Sequence, residues 1–162
     1  MTRRLICLAA GALLTLAPAA GAARTITGTD GRDRLVGTAG ADRINALAKD
    51  DVVHAGSGAD MVDGGTGEDI VFAGAGDDRV YGRSGKDRLN GGPGRDRIVG
   101  STGGDRIVGG PGRDAIDGGK DSDTILVRDG VRDRVACGTG KDDRVVADRV
   151  DSVATDCERV ER

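Results

Sequence analysis

Aromatic and large aliphatic side chains are scarce in this chain of 162 residues. It has one Phe, one Tyr and no Trp, and from Arg24 onward Leu, Ile, Val and Phe make up 28 of 139 residues, about 20%. At that level chains usually fail to bury enough apolar surface to fold, which argues against an ordinary close-packed enzyme domain. Only three Pro accompany 29 Gly, and Gly does not recur at every third position, so the chain is not collagen. Composition alone therefore indicates a disordered chain with the length of about one domain.

The first 23 residues differ from the rest. Arg3 and Arg4 precede an apolar run over residues 5–16, and small residues follow in 18–23. The run is too short to span a bilayer, so we expect a signal peptide over 1–23 and a secreted, extracellular protein. A membrane anchor is the alternative for this segment.

The remaining chain is acidic and contains two cysteines. Without the two arginines of the leader, 22 basic residues face 27 acidic ones, a formal net charge of −5. This balance, with so few aromatics, argues against a nucleic-acid partner. In an oxidising compartment the isolated pair Cys137 and Cys157 is expected to form a disulfide.

A strict nine-residue period overrides the composition. Two residues after each repeated Asp stands an aliphatic residue, five residues before it stands Gly or Ala, and two residues before it stands Gly in nine of eleven units. A fixed period of this kind indicates a repeat architecture. The repeated aspartates are Asp33, Asp42, Asp51, Asp60, Asp69, Asp78, Asp87, Asp96, Asp105, Asp114 and Asp123.

The unit reads G-x-x-G-x-D-x-(aliphatic)-x, as in GGPGRDRIV over 91–99. Glycines permit a tight turn over the first six residues, and the last three alternate outward, inward and outward as a short strand does. Two units make one 18-residue coil. We therefore expect an all-β, right-handed parallel β-roll solenoid over residues 24–126, with one aliphatic core residue per unit.

Calcium is the expected stabiliser of this thin core. Aspartates two units apart would lie about 4.8 Å apart on one edge, where unneutralised carboxylates repel each other. Carboxylate and turn carbonyl oxygens suit Ca²⁺, whereas Mg²⁺ demands a tighter octahedron. We expect several ions and a chain that is largely unfolded without them. The predicted ligands are Asp33, Asp42, Asp60, Asp69, Asp78, Asp87, Asp96, Asp105, Asp114 and Asp123.

Segments such as GGTGEDIVF (64–72) and AGAGDDRVY (73–81) resemble the hemolysin-type calcium-binding repeats, or RTX nonapeptides. The resemblance covers residues 28–126 and implies a parallel β-roll with these aspartates as calcium ligands. The pore-forming and protease domains that often accompany such repeats are absent from the sequence, so toxin activity is not implied. An N-terminal signal peptide also departs from the C-terminal export route common in the family.

The units are unequal, and the register breaks after Ile125. The third unit, 46–54, lacks Gly at every turn position, so Asp51 is the weakest ligand candidate and is left out of the ligand set. Residues 127–162 keep acid–Arg–aliphatic triplets without the nine-residue spacing. They are predicted to form an irregular C-terminal cap that shields the last coil.

Other functions stay open at this point. Arginine follows the Asp in six units, so an anionic partner could bind these rows, although a solvated face is the simpler interpretation. A calcium-stiffened adhesion or matrix protein with a cell-surface or polysaccharide partner is the main alternative function. No nucleophile–base pair is visible, so an enzyme is not expected, and we expect a monomer. His54, the single His, is interpreted as an exposed strand residue.

Overall fold

The computed structural model describes residues 4–6 and 21–162, and within these ranges the chain forms strands and turns but no helix. The described residues accordingly contain no helix that could cross a membrane. The predicted signal peptide, 1–23, lies mostly outside these ranges and stays a prediction. In chain order the strands are β1 (Arg4–Ile6), β2 (Thr25–Thr27), β3 (Arg34–Thr38), β4 (Arg43–Asn45), β5 (Val52–Ser57), β6 (Met61–Thr66), β7 (Ile70–Ala75), β8 (Arg79–Ser84), β9 (Arg88–Asn90), β10 (Arg97–Thr102), β11 (Arg106–Val108), β12 (Ala115–Lys120), β13 (Thr124–Leu126), β14 (Arg134–Thr139), β15 (Arg144–Val146), β16 (Ser152–Val153) and β17 (Arg159–Glu161).

The strands form two parallel sheets that the chain visits in turn. Sheet A has the order β1-β2-β4-β6-β8-β10-β12-β14-β16, and sheet B has the order β17-β15-β13-β11-β9-β7-β5-β3. In the regular part of the roll, each core residue pairs with the core residue two units later, as Ile44 does with Val62 and Val62 with Val80. Two nine-residue units therefore make one coil, and the predicted parallel β-roll of nonapeptide repeats is confirmed.

The core is a single layer of aliphatic side chains between the sheets. Strand β8 shows the pattern, with Arg79 exposed, Val80 buried and Tyr81 half-buried. The aliphatic residue of all eleven units is at most 4% exposed. Because each unit adds only one such side chain, the hydrophobic contribution per coil is small, and the coils depend on their backbone hydrogen bonds and on what happens in the turns.

Strands β14 to β17 extend both sheets beyond the regular repeat. Ile116 pairs with Val135 and Ile125 pairs with Val145, so both of these coils are longer than the regular ones. The extra residues are accommodated in the turns, so the strands keep their pairing. The division between a roll and a cap at residue 127 stays a prediction, since strands on both sides of it belong to the same sheets.

Candidate metal centre

The repeated aspartates form two ladders, one for each sheet. In each ladder the backbone N–H of one Asp donates to Oδ1 of the corresponding Asp in the next coil, at 2.7 Å from Asp60 to Asp78 and 2.9 Å from Asp78 to Asp96. All of these aspartates except Asp33 are buried. The structure thus brings the ten predicted ligands, together with Asp51, into two continuous rows. One row contains Asp42, Asp60, Asp78, Asp96 and Asp114, and the other contains Asp33, Asp51, Asp69, Asp87, Asp105 and Asp123.

The second carboxylate oxygen, Oδ2, is left without a hydrogen-bond partner in most of the ladder. Buried polar atoms in folded proteins are nearly always paired, so a whole row of unpaired carboxylate oxygens needs a specific cause. A bound cation is the simplest, because it replaces the missing donors and offsets the charge. Within the described residues the unpaired atoms are Oδ2 of Asp51, Asp60, Asp69, Asp78, Asp87, Asp96, Asp105, Asp114, Asp123, Asp133 and Asp143.

The first aspartate of each row is different. Oδ2 of Asp33 accepts hydrogen bonds from the backbone N–H of Thr29 at 2.5 Å and from its hydroxyl at 2.9 Å. Oδ2 of Asp42 accepts one from the N–H of Thr38 at 2.6 Å. These two carboxylates are therefore satisfied by their own turns, whereas the other eight predicted ligands each keep an unpaired oxygen.

Burial raises the pKa of the ladder carboxyls that keep an unpaired Oδ2, because the low-dielectric interior disfavours the charged form. The hydrogen bond from the backbone lowers these pKa values and neighbouring aspartates add smaller effects, but burial is the largest cause. The pKa rises to about 6 for Asp69, Asp78, Asp87 and Asp114. It rises to about 7 for Asp51, Asp96, Asp105, Asp123 and Asp133. In the metal-free roll these carboxylates are thus buried where the low dielectric disfavours their charged form.

Carbonyl oxygens of the turns lie close to the unpaired Oδ2 atoms. A Cβ added at Gly64 would lie 2.7 Å from Oδ2 of Asp69 and 2.9 Å from the carbonyl oxygen of Gly82, so these two oxygens converge on one point. A Cβ at Gly82 would meet Oδ2 of Asp87 at 2.5 Å and the carbonyl oxygen of Gly100 at 2.9 Å. Carboxylate and carbonyl oxygens from successive coils form a donor set that fits a hard dication such as Ca²⁺.

Sequence reasoning missed four later members of the ladders. The last two, Asp151 and Glu158, accept the N–H groups of Asp133 and Asp143 at 3.0 Å. Asp133 accepts the N–H of Asp114 at 2.8 Å, and Asp143 accepts that of Asp123 at 2.7 Å. Both are buried with an unpaired Oδ2, as in the regular units. The acid–Arg–aliphatic triplets at these positions were the available signal. The broken nine-residue spacing concealed their place in the ladders.

The third unit keeps the geometry of the others despite lacking glycine. Asp51 is buried, accepts the N–H of Asp33 at 2.7 Å and has an unpaired Oδ2. Leu47 and Lys49 occupy the turn positions where most other units have Gly, with φ of 79° and 75°. Such angles are costly for residues with a side chain. The turn has therefore been forced into the common shape by its neighbours.

Two other predicted features belong to neither ladder. His54 stacks on Phe72 on the outer face of sheet B, with ring centroids 4.9 Å apart. Cys137 and Cys157 form a disulfide between β14 and the C-terminal segment. The His54 ring is therefore stacked on an aromatic neighbour, and the two cysteine sulfurs are joined in the disulfide.

Comparison with known families identifies the repeat. Residues 27–62, 63–98 and 90–125 match the family described as RTX calcium-binding nonapeptide repeat (4 copies). These segments contain all ten predicted ligands. No curated protein matches the chain.

Proposed function

Because the chain belongs to the RTX calcium-binding nonapeptide repeat family, we propose that it is a secreted protein whose two aspartate ladders bind several Ca²⁺ ions between stacked turns. Ion binding drives its folding. The role is non-enzymatic, in keeping with a family whose repeats are calcium-binding structural units. Secretion rests on the leader-like residues 1–23, and processing after this segment would be checked by mass spectrometry of the exported protein.

The unpaired Oδ2 atoms are the observation that carries the proposal. They lie beside turn glycines onto which a carbonyl oxygen of the next coil also converges, as at Gly64 and Gly82. Both kinds of oxygen suit Ca²⁺, and the cation supplies the positive charge that the buried row lacks. Asp33 and Asp42 are secondary ligands, since threonines already satisfy them. The main ligands are therefore Asp60, Asp69, Asp78, Asp87, Asp96, Asp105, Asp114 and Asp123, and the set is extended by Asp51, Asp133 and Asp143.

Coupling between binding and folding follows from the thin core. One aliphatic side chain per unit stabilises a coil weakly, and each coil brings two carboxylates into the interior. The ligands converge only when successive coils are stacked, so the cation binds the folded state and shifts the equilibrium towards it. Affinity of extracellular calcium modules of this kind is on the order of 10⁻⁴ to 10⁻³ M.

Circular dichroism of residues 24–162 in chelator and during a calcium titration tests the proposal directly. We expect little β signal in chelator and a cooperative gain as calcium is added, with heat of binding in calorimetry. A β signal already complete in chelator would contradict the coupling to folding. Absence of calcium uptake in calorimetry would contradict the binding itself.

A further inference from the structure

Sheet A carries a groove on its outer face. Its floor lies over β10, β12, β14 and β16, with a volume of about 410 Å³, and small side chains at Ala115, Ala136 and Ala154 line it. A second depression of about 410 Å³ adjoins it towards the turns and shares Arg97, Ala115 and Arg134 with it. We call the two together the arginine groove.

Five arginines line the arginine groove: Arg79, Arg95, Arg97, Arg113 and Arg134. All five are exposed, and the ion pairs of the described residues involve other arginines. The exposed acids of the groove are Asp77 and Asp117, and the buried ladder aspartates Asp78, Asp96 and Asp114 also line the second depression. Guanidinium groups without an ion-pair partner are therefore concentrated on β8, β10 and β14 and in the turns before β10 and β12, on a chain with net negative charge.

The small side chain of Ala115 creates the gap between these arginines. Arg97 pairs with Ala115, and Ala115 pairs with Arg134, so a methyl group stands where neighbouring strands present guanidinium groups. The two arginines are separated by two strand spacings, about 10 Å. The gap between them is open to an acidic group, which a guanidinium binds through two parallel hydrogen bonds.

We propose that the arginine groove binds an acidic polysaccharide, whose carboxylate or sulfate groups pair with Arg97 and Arg134 while the sugar rings lie on the alanine floor. A linear chain suits the site because the arginines are spaced along the axis of the roll and small side chains leave room for sugar rings between them. Nucleic acid suits it less, since no aromatic side chain lines the groove for base stacking. The inference rests on the proposed function only in that the roll must first be folded by calcium.

The test uses residues 24–162 in saturating calcium, with folding checked by circular dichroism before each measurement. Calorimetry with dextran sulfate, carboxymethyl-dextran and unmodified dextran measures binding to sulfate, to carboxylate and to the uncharged backbone. We expect binding to at least one of the charged polymers, weakened by added salt, and none to plain dextran. Failure to fold in calcium would overturn the proposed function, whereas a folded roll that binds neither charged polymer would overturn the groove alone.

Two pairs of variants locate the site. Arg97→Gln with Arg134→Gln should weaken binding about tenfold, because the guanidinium groups on both sides of the gap are lost. Arg88→Gln with Arg106→Gln removes the same charge from neighbouring strands of sheet B and should change affinity by about twofold at most. Equal losses in the two pairs would overturn the assignment to the arginine groove.

A variant that adds positive charge distinguishes binding in the gap at Ala115 from binding to any positively charged surface. Ala115→Arg restores the residue that six units have at this position, so it should fold, yet it fills the gap and should weaken binding about fivefold despite the added charge. Thr124→Arg adds the same charge at the equivalent position of sheet B, between Arg106 and Arg144, and should leave affinity nearly unchanged. Stronger binding by Ala115→Arg, or single-stranded DNA binding as tightly as the polysaccharides, would overturn the proposal.

Discussion

The two carboxylate oxygens of a ladder aspartate have different surroundings: Oδ1 faces the neighbouring coil and Oδ2 faces the turn of its own unit. Oδ1 of Asp96 accepts the N–H of Asp78 at 2.9 Å, which ties one coil to the next, and Oδ2 has no partner. Oδ1 therefore joins successive coils of the folded roll whether or not calcium is bound. Oδ2 is unfavourable in the metal-free roll, and under our proposal it becomes a ligand when calcium binds.

Asp96→Asn should therefore have opposite effects in the two states. The amide oxygen can keep the bond to Asp78, and the buried group is no longer charged, so the calcium-free form should gain stability. The NH₂ group cannot ligate Ca²⁺, so the calcium concentration for half-maximal folding should rise about fivefold. Circular dichroism during a calcium titration measures the shift in midpoint, and the β signal that remains in chelator, expected to be larger in the variant, measures the gain.

Asp117→Asn is the matched control, because Asp117 is an exposed acid on β12, outside the ladders. It should leave both measurements nearly unchanged. If it shifted the calcium midpoint as much as Asp96→Asn does, the effect would belong to overall charge and not to the ladder.

At the scale of the element, the turn determines how well each coil fits on the next. The third turn keeps the common shape with Leu47 and Lys49 in the left-handed region. Both residues carry a Cβ, so this turn holds backbone strain that the glycine turns avoid.

Lys49→Gly should consequently stabilise the calcium-bound roll by about 1 kcal/mol, since relief of the left-handed conformation exceeds the extra flexibility of the unfolded chain. Urea unfolding in saturating calcium measures the change. Lys86→Gly is the control, because Lys86 lies in a turn with an ordinary negative φ. It should be neutral or destabilising, and a gain equal to that of Lys49→Gly would refute the strain argument.

The C-terminal strands depend on a covalent link as well as on pairing. The disulfide closes a loop with a sequence separation of 20 between Cys137 and Cys157. In the chain-entropy account a loop of this length contributes about 3 kcal/mol. The double variant Cys137→Ala with Cys157→Ala should lose roughly this much in urea unfolding in calcium. An unchanged midpoint would show that strand pairing alone holds this end.

At the scale of the whole molecule, the buried carboxylates make stability depend on pH in a direction opposite to that of most proteins. In the folded metal-free roll burial raises the pKa of nine ladder carboxyls to about 6 or 7, Asp87 and Asp96 among them. In the unfolded chain the pKa of an Asp is about 3.9. Between these values the folded chain holds protons that the unfolded chain has lost. The free energy of unfolding therefore falls as pH rises.

Without calcium, the roll should accordingly be more stable near pH 4 than near pH 7, with the stability lost progressively across that window. The stabilisation added by calcium should increase over the same range, because calcium binds the charged carboxylates. The β signal in circular dichroism across this pH range, with protein freed of calcium and with calcium added, measures both trends. A calcium-free roll that gains stability as the pH rises would contradict the burial of these groups.

The regular part of the molecule was predictable because its unit is local. A nine-residue period with one Asp and one aliphatic residue at fixed offsets leaves few ways to alternate turn and strand, so the sequence by itself determined the coil length, the core positions and the rows of aspartate. The match of residues 27–125 to a calcium-binding repeat family agrees with that interpretation.

What only the tertiary structure decided depends on contacts between coils and within the turns. Thr29 and Thr38 satisfy Asp33 and Asp42 in their turns. Later acids, beginning with Asp133 and Asp143, join the ladders across longer turns. The gap at Ala115 becomes a groove only when strands β10, β12 and β14 lie side by side. The physical reason is that partners from successive coils meet through stacking, and a turn can absorb extra residues while the strands keep their pairing.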